Sequence, residues 1–238
     1  MAYRMKGGAV ANDPRLGRIP SFDERSRKFA VRELVPDKPV VSKAWRLTYN
    51  LDQGETPQCV GYSAEQTLHT PPLKQRIFNS DQATEIYNLA RQLDEWPGED
   101  YDGSSVLGGA KAVKQLGFIS EYRWGFGIKD TVMALCYTGP VVFGINWYND
   151  MFDPDSKGFV IPEGGVAGGH AIECNAIRPY FKAGAKTRFF DDLDMDRSYV
   201  RLTNSWGNDW GLSGNCYLTL TDLDKLLNEQ GEACFYIK

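Results

Sequence analysis

Cys59 stands three residues after Thr56-Pro57, where a helix is expected to begin, because threonine caps helices and proline suits the first helical position. A cysteine in that place meets the partial positive charge of backbone N–H groups with no helical partner, which favours thiolate over thiol. Six residues upstream, Gln53 lies in a turn beside Gly54, and its amide could reach the same substrate oxygen as the Cys59 N–H. A strict cap from Thr56 to the third helical N–H would occupy the donor of Cys59 itself, so Thr56 is expected to bond Gln58 or nothing. The chain has two histidines, so any step that needs an imidazole uses His69 or His170, and a three-histidine metal site is excluded. His69 falls near the expected helix end, a place suited to a partner of the helix dipole. His170 follows Gly168-Gly169 and opens the apolar run Ala171-Ile172, at a strand start with small neighbours. The third element is Thr203-Asn204-Ser205-Trp206-Gly207, followed by Trp210-Gly211. There Asn204 can fix the tautomer of the histidine while Trp206 keeps water from that bond. Together these residues offer a thiol nucleophile, a base, an orienter and an oxyanion donor.

The elements that must position them change character along the chain. Residues 1 to about 45 carry scattered charges and four prolines, which predicts an extended arm over the body; an inhibitory prosegment is the second reading. The helix at Thr56 should stop at Pro71-Pro72. Ile86, Leu89, Ala90 and Leu93 recur at helical spacing, as do Val106, Leu107, Ala110, Val113 and Leu116 up to Gly117, and a shorter helix is expected over 130–137. After Gly139-Pro140 the pattern turns to strands at 141–147, 158–161, 171–177, 199–203, 216–220 and 233–237, with one surface helix over 222–228 and a polar excursion over 182–197. The expected division is an arm over 1–42 and a catalytic domain over 43–238, with helices over about 50–138 and sheet over about 139–238.

Composition narrows the classes. A length of 238 residues fits one domain or two lobes sharing an interface, and 42% hydrophobic with 24% charged residues is that of an ordinary globular chain. A net charge of −4 without a basic stripe argues against nucleic acid and against an anionic membrane surface. The first eight residues include basic ones but no apolar block follows, so neither a secretory signal nor a membrane anchor is read there. A cytoplasmic setting is expected, with virion association or another route of export left open. Five cysteines, odd in number and widely spaced, point to reduced thiols, and Cys174, Cys216 and Cys234 to core positions. The acidic run Asp191 to Asp196 approaches a calcium loop, but Arg197 stands where glycine is needed and Thr203 where glutamate is, so a solvated loop is expected and no metal or cofactor.

Asp52-Gln53-Gly54 followed by Cys59, then Gly168-Gly169-His170-Ala171-Ile172, then Asn204-Ser205-Trp206-Gly207 with Trp210-Gly211, resemble the three signature blocks of the papain family, in order. The likeness spans residues 40 to 238, since Tyr101-Asp102-Gly103-Ser104 and Gly139-Pro140-Val141-Val142 also fall where that family has comparable segments. It implies an α+β fold, a helical lobe followed by an antiparallel, barrel-like sheet lobe with the cleft between them, and a cysteine peptidase acting on peptide or protein through a thioester. Cys59, His170, Asn204 and Gln53 would be its catalytic set, and Gly103, Ser104, Gly168, Gly169 and Trp206 its substrate-binding residues. The chain departs from the pattern in places. Thr56 replaces the cysteine before the nucleophile, Val60 the tryptophan after it, and Ser104 the second glycine of the substrate pair. Residues 1 to 45 show no counterpart of the helical propeptide, as in compact prokaryotic or viral members. Two further readings stay open: a cell-wall peptide hydrolase or amidase, and a catalytically silent binding or assembly protein. The natural substrate and the oligomeric state are not legible.

Overall fold

The spacing of apolar side chains and the caps that bound them account for most of the elements in the computed structural model, which describes residues 3–4, 10–35, 37–46, 50–76, 78–94 and 101–238. Of the expected arm, residues 1–2, 5–9 and 36 lie outside the described ones. The arm contributes a two-stranded ribbon, β1 (Tyr3–Arg4) with β2 (Val10–Ala11), then two 3-10 turns, Glu24–Phe29 and Val31–Leu34, and β3 (Lys43–Ala44).

Three helices follow. In α1 (Cys59–His69) every residue except His69 is buried, the signature of a helix enclosed on all sides rather than amphipathic. Gly61 allows this, because a side chain there would strike the carbonyl of Ala83 on α2 (Ser80–Leu93) at 2.2 Å. Asn79 caps α2 by accepting from the Gln82 N–H, and Ser105 caps α3 (Val106–Gln115) by accepting from the Gly108 N–H. Gly117, at φ +77°, ends that helix in a left-handed turn closed by the Phe118 N–H on Val113 O.

The remaining elements are β4 (Glu121–Trp124), α4 (Ile128–Tyr137), β5 (Val141–Tyr148), β6 (Val166–Arg178), β7 (Tyr199–Thr203), β8 (Asn215–Thr219), α5 (Leu220–Asn228) and β9 (Glu232–Ile237). The strands form one antiparallel sheet in the order β4-β9-β5-β6-β7-β8, with β3 joining the far part of β6; the path is open rather than closed into a barrel. The fold is thus the mixed helix and antiparallel sheet expected. The run 158–161 is not a strand of this sheet: it makes a single bridge, Phe159 to Tyr217, because Gly158 and Pro162 bound it too closely for a ladder. β4 was not expected, since its Glu-Tyr-Arg-Trp sequence lacks an alternating apolar face; pairing with β9 creates it. All five cysteines are free and buried. No helix is long and apolar enough to cross a membrane, and no metal-holding group of three His, Cys, Asp or Glu side chains occurs, both among the described residues.

A buried polar network fixes α1 against the sheet. Gln66 donates to Thr203 O (3.3 Å) and accepts from the Leu51 N–H (3.1 Å), while Asn175 donates to both Thr203 Oγ1 (2.9 Å) and Glu173 Oε2 (3.0 Å). Thr203 immediately precedes Asn204, so this network sets the distance between the helix that bears Cys59 and the strand end that bears Asn204. Burial raises the Glu173 carboxyl to about 7, against its hydrogen bonds with Thr70 and Asn175. A raised carboxyl contributes stability below its unfolded value, near 4.5, and loses it as pH rises through about 7. Glu173→Gln should therefore gain on the wild type by up to about 3 kcal/mol between pH 4.5 and 7. Urea midpoints at several pH values in that window measure it; a constant difference between the two proteins would show that Glu173 titrates normally.

Candidate functional site

Cys59 is the first residue of α1, with Gln58 as an N-cap that makes no side-chain bond. The helix therefore begins two residues later than Thr56-Pro57 suggested. The Thr56 hydroxyl instead donates to Gln53 O (2.6 Å), tying the turn rather than capping the helix. This start brings the sulfur nearer to the unpartnered N–H groups of the first turn.

His170 sits on β6 opposite Ile145 of β5, fully buried. Its Nε2 is 2.8 Å from Asn204 Oδ1. Because the Ser205 N–H also donates to that oxygen (2.9 Å), the Asn204 amide can face only one way, so Nε2 carries the proton and Nδ1 keeps its lone pair. Trp147 and Trp206 pack against the imidazole, with ring centroids 4.9 and 5.0 Å away, and shield the bond to Asn204 from water. Trp206 was expected there; Trp147 was not, because a tryptophan in the apolar run of β5 reads as core.

Gln53 is held by the same loop. Its N–H donates to Ser205 O (2.8 Å) and its Oε1 accepts from Ser205 Oγ (2.6 Å), which leaves Nε2 aimed at Arg15 O (3.1 Å) and Thr56 O (2.5 Å). Ser205 thus orients both the amide of Gln53 and, through Asn204, the imidazole. Nothing in the sequence but its position after Asn204 marked it.

The cleft between these residues is filled by the chain's own residues 11–19. The Asn12 N–H donates to Ala167 O (2.9 Å), the Arg18 N–H to Gly169 O (3.0 Å), the Ile19 N–H to Ser104 O (2.9 Å), and the Ser104 N–H to Gly17 O (2.9 Å). The segment runs parallel to the backbone at Ser104. The five residues expected to bind substrate all meet it. A side chain at Gly103, which has φ +91°, would strike Gly17 O at 2.4 Å; one at Gly169 would strike Arg18 O at 2.1 Å; Gly168 lies against Leu16 and Ala11; and Trp206 lies under the Arg15 guanidinium at 4.2 Å. Gly17 in turn packs on Pro57, where a side chain would meet the carbonyl oxygen at 2.0 Å. The arm does more than lie over the body: its residues 11–19 occupy the groove beside Cys59.

With the segment in place Cys59 is inaccessible. Its sulfur accepts from the Ala171 N–H (3.4 Å) and from the Gly17 N–H, and among the described residues no hydrogen bond joins it to His170. Burial pushes the thiol up to about 11 despite those donors, and pushes the imidazole down to about 4 despite the bond to Asn204. The pair is therefore neutral in this state, not the thiolate and imidazolium expected from a helix start beside a histidine. His69, the other histidine, ends α1 with Nδ1 2.9 Å from Gln75 O and its ring stacked on Phe78, away from the cleft.

No protein-family model and no curated protein matches the sequence. Solved structures do match. Xylellain, a cysteine protease from Xylella fastidiosa, superposes with a TM-score of 0.65 at 17% identity, over 96% of this chain and 97% of that one. Digestive procathepsin L 3 of Tenebrio molitor larval midgut gives 0.56 at 15% identity, over 95% of this chain and 75% of its own. A recombinant stem bromelain precursor gives 0.56 at 14%, over 94% and 77%. Seen with the order of its elements and the open sheet beside α1, these likenesses give the chain the papain-like cysteine protease fold.

Proposed function

We propose that this chain is a cysteine peptidase, with residues 43–238 as its catalytic body and residues 11–19 of the arm closing the cleft. The observation that carries the reading is the segment itself: an extended peptide already lies in the groove beside Cys59, hydrogen-bonded on one side to Ser104 and on the other to Gly169. A groove that pairs with the backbone of an extended chain suits a peptide substrate, and this favours protein over a cell-wall stem.

In the proposed reaction the segment leaves, and water and substrate enter. Nδ1 of His170 takes the proton of Cys59, and the thiolate attacks the peptide carbonyl. The oxygen of that carbonyl draws on Gln53 Nε2 and the Cys59 N–H while it carries charge. His170 returns the proton to the leaving amine, which departs and leaves a thioester. Water, deprotonated by the same nitrogen, releases the acid. Asn204 holds Nε2 throughout, so that Nδ1 stays turned to the sulfur.

Gln53→Ala should lower kcat by about a hundredfold or more with little change in KM, since it removes a donor used mainly in the transition state. The rate is measured on casein-derived peptides, normalised to the Cys59 that a thiol-directed epoxide titrates, because loss of Gln53 also loosens the segment. An unchanged kcat would remove Gln53 from the site. A chain that degrades bacterial walls but not casein would be the cell-wall hydrolase, and one whose Cys59 resists the epoxide with the cleft open would be the silent binding protein.

A further inference from the structure

Glu65 lies six residues beyond Cys59 on α1, about 9 Å along the helix axis, and is 1% exposed. A carboxyl on a helix enclosed on all sides needs partners, and this one is poorly served. Among the described residues the Asn79 N–H is the one donor that bears on it, and Oε1 has no hydrogen-bond partner. The side-chain amides nearby are committed elsewhere: Gln82 donates through Nε2 to Glu85 Oε2 (2.8 Å), and Gln75 through Nε2 to Phe118 O (3.2 Å). Both line, with Glu65, a cavity of about 350 Å³. Neither the arm nor any of Gln53, Cys59, His170 and Asn204 contributes to it, so this cavity is separate from the cleft.

The lining sorts by chemistry. Leu68 and Leu73, both buried, and the half-buried Phe118 give the cavity an apolar wall. Lys74 and Arg76 stand exposed at its rim, beside Lys238, and among the described residues no ion pair joins them to Glu65. A buried acid at the floor with bases at the mouth is complemented by a ligand of the reverse polarity, with a cation inward and an anion outward. A lone cation would pass the rim against repulsion, and a lone anion would end against Glu65. A zwitterion suits both ends. The volume, small for a ligand site, and the apolar wall narrow the ligand to a single residue with an apolar side chain.

We propose that this cavity binds a free apolar α-amino acid, with its ammonium on Glu65 and its carboxylate toward Lys74 and Arg76. Free amino acids are what exhaustive peptide hydrolysis yields, so under the peptidase reading the site reports product to the helix that bears Cys59. The binding itself does not depend on that reading. L-leucine, N-acetyl-L-leucine and L-leucinamide are titrated into the full-length chain by calorimetry. L-leucine should bind about thirtyfold tighter or more than N-acetyl-L-leucine, the loss typical when one partner of a buried charged pair is removed. It should bind roughly two- to fivefold tighter than L-leucinamide, whose missing charge belongs to the exposed rim. The isosteric Glu65→Gln should weaken L-leucine by about thirtyfold as well.

A second readout uses the wild type alone. Burial holds the Glu65 carboxyl at about 7, and an ammonium beside it favours the ionised form. Lys74, Arg76 and Lys238 stay charged throughout this range, so binding should release close to one proton at about pH 6 and almost none at about pH 8.5. Calorimetry in buffers of different ionisation enthalpy counts that proton. No binding of L-leucine, N-acetyl-L-leucine or L-leucinamide binding as tightly as L-leucine, an affinity unchanged by Glu65→Gln, or no proton released at the lower pH would each overturn the site. Because no arm of the test needs turnover, the two ideas separate. A chain that binds L-leucine and hydrolyses nothing keeps the site and loses the peptidase, and a peptidase indifferent to L-leucine does the reverse.

Discussion

Cys59→Ala should abolish peptide hydrolysis, with a fall of about a millionfold in kcat, the scale seen when a nucleophile that works as a unit with its base is removed. The site gives no substitute for the sulfur. His170 is held by Asn204 so that Nδ1, its nitrogen with a free lone pair, faces the cleft, and Gln53 can only stabilise an oxyanion once a nucleophile has formed one. For the same reason His170→Ala should fall about as far, and the double variant little further. The measurement is a progress curve with a fluorogenic peptide, with the epoxide-treated wild type as the control for contaminating protease. Hydrolysis by Cys59→Ala at the wild-type rate would end the assignment, and the folded state of the variant is not in question, since alanine at a helix start removes only one buried sulfur.

Gly17→Ala should do the opposite and raise the alkylation of Cys59 in the full-length chain by roughly ten- to a hundredfold. A methyl group at residue 17 would meet Pro57 O at 2.0 Å and Pro57 C at 2.6 Å, and both are backbone atoms at the mouth of α1 that cannot swing aside. Overpacking of that kind costs about 1–3 kcal/mol, and each 1.4 kcal/mol is a tenfold shift between closed and open forms. The body does not depend on Gly17, so the strain is relieved by releasing the segment. Iodoacetamide labelling with peptide mapping reads the result, and the pH profile sharpens it. In the closed wild type, a thiol near 11 is ionised in only about one molecule in ten thousand at pH 7, so the rate should climb about tenfold per unit through the neutral range. In Gly17→Ala, water reaches both side chains, the imidazole recovers its basicity, and labelling should persist well below the ordinary thiol range. A variant with the wild-type rate and slope would mean that the segment is not the barrier.

How much of this was legible in the sequence depended on the range of the interactions concerned. The periodicity of Ile86, Leu89, Ala90 and Leu93 marks α2, and Ser105 with Gly117 brackets α3, because caps and amphipathic spacing are local signals. Cys59, Gln53, His170 and Asn204 could be singled out by residue type and by the small or turn-forming neighbours around them, and the fold gathers them round one cleft. Features defined by contacts distant in sequence left no such trace. β4 exists through pairing with β9, more than a hundred residues away. Glu232 reads as an unremarkable charge before an apolar strand until Arg18 is placed against it. Leu16-Gly17-Arg18 shows neither helical nor strand periodicity, because the segment takes its conformation from the cleft, and the neutral state of Cys59 follows from that burial rather than from its place on a helix.

The sealed thiol also bears on how long such a protein keeps its competence. Oxidation of a cysteine by peroxide proceeds through the thiolate at an accessible sulfur, and in the closed chain Cys59 is neither ionised nor reachable. The other four cysteines are buried as well, so no neighbouring thiol is free to trap it in a disulfide. The closed chain is in this sense a preserved form. The residues that deny the site to substrates also deny it to oxidants, and its nucleophile becomes perishable only once the cleft opens.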